Sequence, residues 1–155
     1  MSTRIDKRLQ ELSITLPDAP VPSANYVPAR RSGNLVFIAG QVSITSDESV
    51  TGKLGHELTI EEGYAAARLC GLNILAQLKA CVGDDIDHSK AIKLGGFVNA
   101  HPDFTNPPAV INGASDLLIA VMGDAAGKHA RFAVAVTSLP GGAAVEVDAI
   151  FEIGP

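Results

Sequence analysis

Apolar positions recur with two periods along this chain, and each switch of period marks an element. In residues 3 to 14, Ile5, Leu9 and Leu12 fall at i, i+4 and i+7 among Arg4, Lys7, Arg8 and Glu11. That spacing predicts a short amphipathic helix that needs a surface to lie on, with Ser2 placed to cap it. Pro17, Pro20 and Pro22 then predict an extended connector. The runs NYVPARR (25–31) and LVFIA (35–39) flank Ser32-Gly33-Asn34, a hairpin signal in which Pro28 confines the first strand to an edge. The polar stretch from Val42 to Lys53 reads as a loop or short strand. From Thr59 to Val82 the period becomes helical, with Tyr64, Ala67, Gly71, Ile74, Leu75, Leu78 and Val82 as the apolar stripe. Thr59 and Glu62 form a capping box at its start, and Gly83 ends it. Asp84, Asp85 and Asp87 read as a solvated turn.

Ser89 to Ala100 returns to a strand, with a bulge or a close backbone approach expected at Gly95-Gly96. Asn106 followed by Pro107 opens a second long helix, whose buried stripe is Val110, Ala114, Leu117, Leu118 and Val121 and which stops at Gly123. The final stretch, His129 to Ile153, alternates twice. Phe132, Val134 and Val136 oppose Ala133 and Ala135; Val145, Val147, Ala149, Phe151 and Ile153 oppose Glu146, Asp148 and Glu152. With Pro140-Gly141-Gly142 between the runs, the expectation is a hairpin of two half-buried strands.

The order is helix, two strands, long helix, strand, helix, two strands. It predicts a single α+β domain over 1–155, with residues 1–16 as an additional N-terminal helix and one mostly antiparallel sheet carrying its helices on one face. The other face must be solvated or covered by another subunit. Alanine and valine on both sides of the last strands favour a second subunit.

Composition narrows the class. The chain is 46% hydrophobic, lacks Trp and carries a formal net charge of −5, so its core is aliphatic and its surface is a poor match for nucleic acid. Cys70 and Cys81 sit eleven residues apart in one helix, about 16 Å along its axis, too far to bridge. They read as small buried hydrophobes of a reducing compartment. The N-terminus lacks a signal-peptide core and no run of about 18 apolar residues stands out as a membrane span, so a cytoplasmic protein is expected.

For chemistry, Arg131 and Glu146 are the sharpest pair. A guanidinium fork grips a carboxylate bidentately, and a nearby carboxylate can hold or activate water. The competing reading is a cross-strand structural ion pair. Tyr26, beside a proline in the edge strand, offers a hydroxyl to a ligand or simply covers the core. His56, His88, His101 and His129 have no metal-ligand spacing and read as surface or capping residues. The two Gly-Gly pairs lack the strand–loop–helix order and Lys of a phosphate loop, and no nucleophile elbow is present.

Ala130-Arg131, Leu139-Pro140 and Val145-Glu146-Val147-Asp148-Ala149-Ile150 carry a resemblance, extended by Val36 to Gln41, by Asn73-Ile74-Leu75 and by Phe97-Val98. Over residues 20 to 153 the chain resembles the reactive-intermediate deaminases, the RidA or YjgF family once described as endoribonucleases or translation inhibitors. The resemblance implies a chorismate-mutase-like fold, a homotrimer with a central barrel, and clefts between subunits. It implies hydrolysis of an enamine or imine such as 2-aminoacrylate to a 2-keto acid and ammonia, without metal or cofactor. Arg131 would hold the substrate carboxylate, Glu146 would position water, and Tyr26, Asn112 and backbone near Gly40 would line the cleft. The expected partners are a small carboxylated metabolite and two further copies of the chain, with neither membrane nor nucleic acid. Ala39 and Ala133 stand where the deaminases usually carry Ser and Cys, and the segment from Asn112 to Arg131 is longer. These departures mark a divergent subgroup. They keep open a non-catalytic member that binds a small acid or a partner; ribonuclease activity ranks last, given the charge and the absence of a paired-histidine motif.

Overall fold

A computed structural model describes residues 1–155. Five strands form one mixed sheet: β1 (Ala29–Ser32), β2 (Leu35–Val42), β3 (Ser89–Asn99), β4 (Ala130–Val136) and β5 (Val145–Ile153), in the order β1-β2-β5-β3-β4. The helices are α1 (Arg4–Glu11), α2 (Ile60–Val82), α3 (Pro107–Met122) and the single turn α4 (Asp124–Gly127). All strand pairs are antiparallel except β3 with β4.

That exception corrects the expected terminal hairpin. β4 does not pair with β5. It runs parallel to β3, Leu94 opposite Arg131, while β5 lies between β2 and β3. Burial explains the choice: Val145, Val147 and Phe151 are fully buried and Ala149 and Ile153 nearly so, and the central slot of the sheet gives such a strand two partners and a helix layer. The connection 137–144 therefore passes across the end of β3. Asn99, at that end, donates its backbone N–H to Ala144 O at 2.9 Å and its side-chain amide to Ala143 O at 3.1 Å. The Lys53 ammonium joins the crossing by donating to the Asn99 side chain and to the Thr137 carbonyl.

The first hairpin forms as expected, with Ser32 opposite Leu35 and Gly33 at φ +59° in its two-residue loop. β3 also refines its expectation. Its bulge falls at Ile92, between Ala91 and Lys93, and the glycines serve close approach. A Cβ on Gly96 would lie 2.6 Å from the Ile111 side chain, so α3 packs directly on the strand.

α2 has the predicted capping box and a C-cap at Gly83. It is buried on nearly every side over 66–78, between the sheet and α3, rather than along one stripe. The two helices meet at Gly113, where a Cβ would sit 2.0 Å from Tyr64 O. By length and hydropathy the segment Ile60–His88 could cross a bilayer, contrary to the expectation from the sequence, but in this fold it is a core element. Cys70 is buried there; Cys81 is exposed, correcting its assignment to the core.

α1 is capped by Thr3, not Ser2: Thr3 Oγ1 accepts from the Asp6 N–H, and Asp6 returns a bond to the Thr3 N–H. Ile5 and Leu9 join the core, and Arg8 donates to Ala120 O at the end of α3. Asp87 is no solvated turn residue, because its carboxylate accepts from the Arg4 and Ile5 N–H groups at 2.6 and 2.9 Å. Burial works against its ionisation, but these two N–H donors prevail and hold the carboxyl below its ordinary range. Asp87→Ala is expected to cost about 1 kcal/mol, the scale of a lost helix cap. Because the folded-state pKa is depressed, this contribution is present above the unfolded value near pH 4 and is lost as pH falls through the lower folded value. Melting temperature and amide exchange in residues 4–11, wild type against variant at neutral and acid pH, check both parts.

Candidate functional site

The sheet has a helix face and an open face, and the two groups singled out from the sequence lie on different ones. Leu94 is fully buried under the helices, and its register partner Arg131 points the same way, toward α3. The guanidinium donates to Ser115 Oγ at 3.1 Å and to Pro108 O at 3.4 Å, both on α3. Glu146 sits between Val145 and Val147, whose side chains fill the core, so its own points to the open face. Since β3 also separates their strands, the cross-strand ion pair considered from the sequence does not exist.

Arg131 occupies edge strand β4. Two of its five donors are used by α3, and no carboxylate of this chain is paired with it. Its orientation is fixed by a relay that sequence reasoning missed. His129 Nδ1 lies 2.7 Å from Gly127 O and donates to it; in the neutral ring Nε2, 2.9 Å from Ser115 Oγ, is then an acceptor. Ser115 thus donates to His129 and keeps a lone pair for the Arg131 N–H. His129 is therefore a positioning residue rather than a surface histidine. Ser115, 8% exposed on the buried stripe of α3, was the available signal: a polar residue where the pattern calls for an apolar one. Asn112 lies one turn from both Pro108 and Ser115, on an exposed position of the flank that holds the guanidinium.

The remaining predicted residues gather at the other side of the sheet. A register shift between Ile38 and Gln41 places Ala39 and Gly40 in a bulge of β2. The Glu146 side chain lies over Gly40, where an added Cβ would meet Oε2 at 2.8 Å. Tyr26, half exposed, and Gly40 both line a cavity of about 420 Å³ walled by the proline-rich segment 18–23, the start of the loop after β2, and Asn73 of α2. Burial and, secondarily, the nearby Asp148 carboxylate push the Glu146 carboxyl above its ordinary value. A carboxylate with a raised proton affinity, lying against the bare backbone of Gly40, suits the transfer of a proton from water.

The chain therefore carries two separate clusters: Tyr26, Gly40 and Glu146 in one, Arg131, Asn112, Ser115 and His129 in the other. The open face between them exposes Leu35, Phe37, Phe132 and Val134, each 37–43% accessible, with Phe97 edge-on to Phe132.

Residues 6–151 match the family model described as "YjgF/chorismate_mutase-like, putative endoribonuclease". Protein TCP17 of Trypanosoma cruzi is 46% identical over 153 residues, covering 98% of this chain and 96% of that protein. Among solved structures, Atu1372 of Agrobacterium tumefaciens, a protein of unknown function, is also 46% identical, with a TM-score of 0.89 over 97% of this chain and 93% of its own. TdcF of E. coli, solved with bound serine, is 26% identical, with a TM-score of 0.57 over 90% and 93%.

Proposed function

This chain belongs to the YjgF/chorismate mutase-like family, and from that premise we propose that it hydrolyses 2-imino or enamine acids to 2-keto acids and ammonia, in clefts that two copies of the chain build together. The observation that carries this reading is the division of the site. An unpaired guanidinium with donors to spare stands at one edge, and a carboxylate of raised proton affinity stands over Gly40 on the opposite face, an arrangement that a second copy of the chain would complete. The exposed apolar residues of the open face supply a surface for that copy, and a closed ring of three is the assembly proposed. TdcF, with serine bound, is a relative that holds a small molecule bearing a carboxylate.

In the assembled cleft Arg131 grips the substrate carboxylate and places the C=N carbon against Gly40 and Glu146. Glu146 takes a proton from water as its oxygen bonds to that carbon. The C=N π electrons pass to nitrogen, which takes the proton back from Glu146. The hemiaminal then collapses: its hydroxyl proton passes through Glu146 to the amine nitrogen as the C=O forms, the C–N bond breaks and ammonia leaves. A protonated imine carbon is already electrophilic, so the chain's own acid, base and carboxylate anchor suffice for these steps.

Ala39 and Ala133 remove two polar groups usual in the deaminases, and they favour the second reading, a family member that binds a small acid without turning it over. Release of ammonia and keto acid from enzymatically generated 2-imino acids separates the two. Acceleration by the protein supports the deaminase; binding of 2-keto acids without acceleration over several imino acids supports the binder.

The Ser115 relay adds a finer expectation. Ser115→Ala frees the guanidinium to swing while leaving Glu146 untouched, so KM should rise about tenfold with kcat nearly unchanged. Ser115→Thr, which keeps the hydroxyl, should restore much of the loss, whereas a merely structural role would show as a change in melting temperature and in kcat.

A further inference from the structure

We propose that the cavity beside Tyr26 and Gly40 receives the substrate's side chain, and that Asn73 selects side chains ending in a hydrogen-bond donor; this rests on the cleft reading above. Asn73 is 1% exposed, yet its Oδ1 has no partner, the one buried side-chain polar atom in the chain without one. The amide cannot be turned round, because its Nδ2 donates to Val42 O and Ile44 O, each at 3.2 Å, and an oxygen there would face two carbonyls. A buried, unsatisfied carbonyl costs free energy until something donates to it. Asn73 lines the same cavity as Gly40, on which the Glu146 carboxylate lies. Two residues of strand, roughly 7 Å, separate Gly40 from the Val42 carbonyl that Asn73 holds. That is the span of an aryl or comparably long side chain running from the reacting carbon into the cavity.

The walls suit such a group. Pro20, Pro22, Pro28, Val42, Ile44 and Tyr26 give apolar and aromatic surface, and about 420 Å³ falls in the range of small-molecule pockets. Gln77 of α2 anchors the outer wall by donating to Pro20 O at 2.6 Å. The only ionisable lining groups are Asp18 and Tyr26, so no cation is available for a second carboxylate. The chemistry is that of a 2-imino acid with a single carboxylate and an apolar side chain tipped with O–H or N–H. A site built to bond such a group discriminates against the analogue that lacks it, because its own polar atom is then left unpaired.

Three stable 2-keto acids test this by calorimetric titration: 4-hydroxyphenylpyruvate, phenylpyruvate, which differs only in the hydroxyl, and 2-oxobutyrate, which is too short to reach Asn73. With wild type, 4-hydroxyphenylpyruvate should bind at least about tenfold more tightly than phenylpyruvate. Asn73→Leu should abolish that preference. Because losing the bonds to Val42 and Ile44 could disorder the loop, Ile44→Trp serves as a second variant: it fills the cavity, and should weaken both aryl acids while leaving 2-oxobutyrate bound. Equal affinities for the aryl pair, with binding of all three still lost in Arg131→Ala, would overturn the selection by Asn73 and leave the cleft intact. Binding of all three that is indifferent to Arg131→Ala, or no binding at all, would overturn the cleft reading and this inference with it.

Discussion

Arg131→Ala is expected to lower kcat/KM for 2-imino acids by about 10²- to 10³-fold, the effect of truncating one partner of a desolvated charge pair. Binding of 2-keto acids should weaken by a similar factor. The oligomer should survive, because the guanidinium bonds only to α3 of its own chain, at Ser115 and Pro108, and replaces no core group. Steady-state kinetics together with sedimentation of the same sample check both statements. Dissociation of the variant into monomers would instead make Arg131 a structural residue.

Glu146→Gln should act differently. The amide keeps the shape over Gly40 but cannot accept a proton, so kcat should fall about 10²- to 10³-fold while KM changes little. The wild-type pH profile carries a linked signature. Burial and the Asp148 carboxylate raise the Glu146 proton affinity, so the base is lost as pH falls through a value above that of an ordinary glutamate. Activity should therefore decline on the acid side at a higher pH than in Asp148→Asn, where the secondary cause is removed. An acid limb at the ordinary glutamate value, unmoved by Asp148→Asn, would assign the base to another group.

How much of this was legible in the sequence follows from the range of the interactions. Caps and periods are local, so α2 with its Thr59–Glu62 box, the Gly33 turn and α3 opening at Pro107 were readable directly. Strand partnership is not local. Alternation showed which face of β4 and of β5 is apolar, but not that β3 would lie between them. Pro140-Gly141-Gly142 reads as a hairpin turn, although here it lies in a longer crossing held by Asn99 and Lys53. The site followed the same division. Arg131, Glu146 and Tyr26 stood out by residue type and strand position, Gly40 and Asn112 only through the family resemblance, and the faces came from register: pairing with Leu94 turns Arg131 toward α3, and alternation with Val145 and Val147 turns Glu146 away from it. Ser115, His129 and Asn73 were missed because each matters through a contact made across the fold.

A cleft shared between copies requires that Arg131 and Glu146 do not work together within one chain. Mixing subunits tests it most directly. Arg131→Ala and Glu146→Gln proteins, each nearly inactive, are unfolded together, refolded at equal ratio and assayed. In a closed ring each cleft takes its arginine from one copy and its glutamate from the next, so random assembly restores a native pair in about a quarter of the clefts. The mixture should therefore recover about a quarter of wild-type activity. A mixture no more active than its two components, in oligomers shown to contain both chains, would place Arg131 and Glu146 in the service of one chain and contradict the shared cleft.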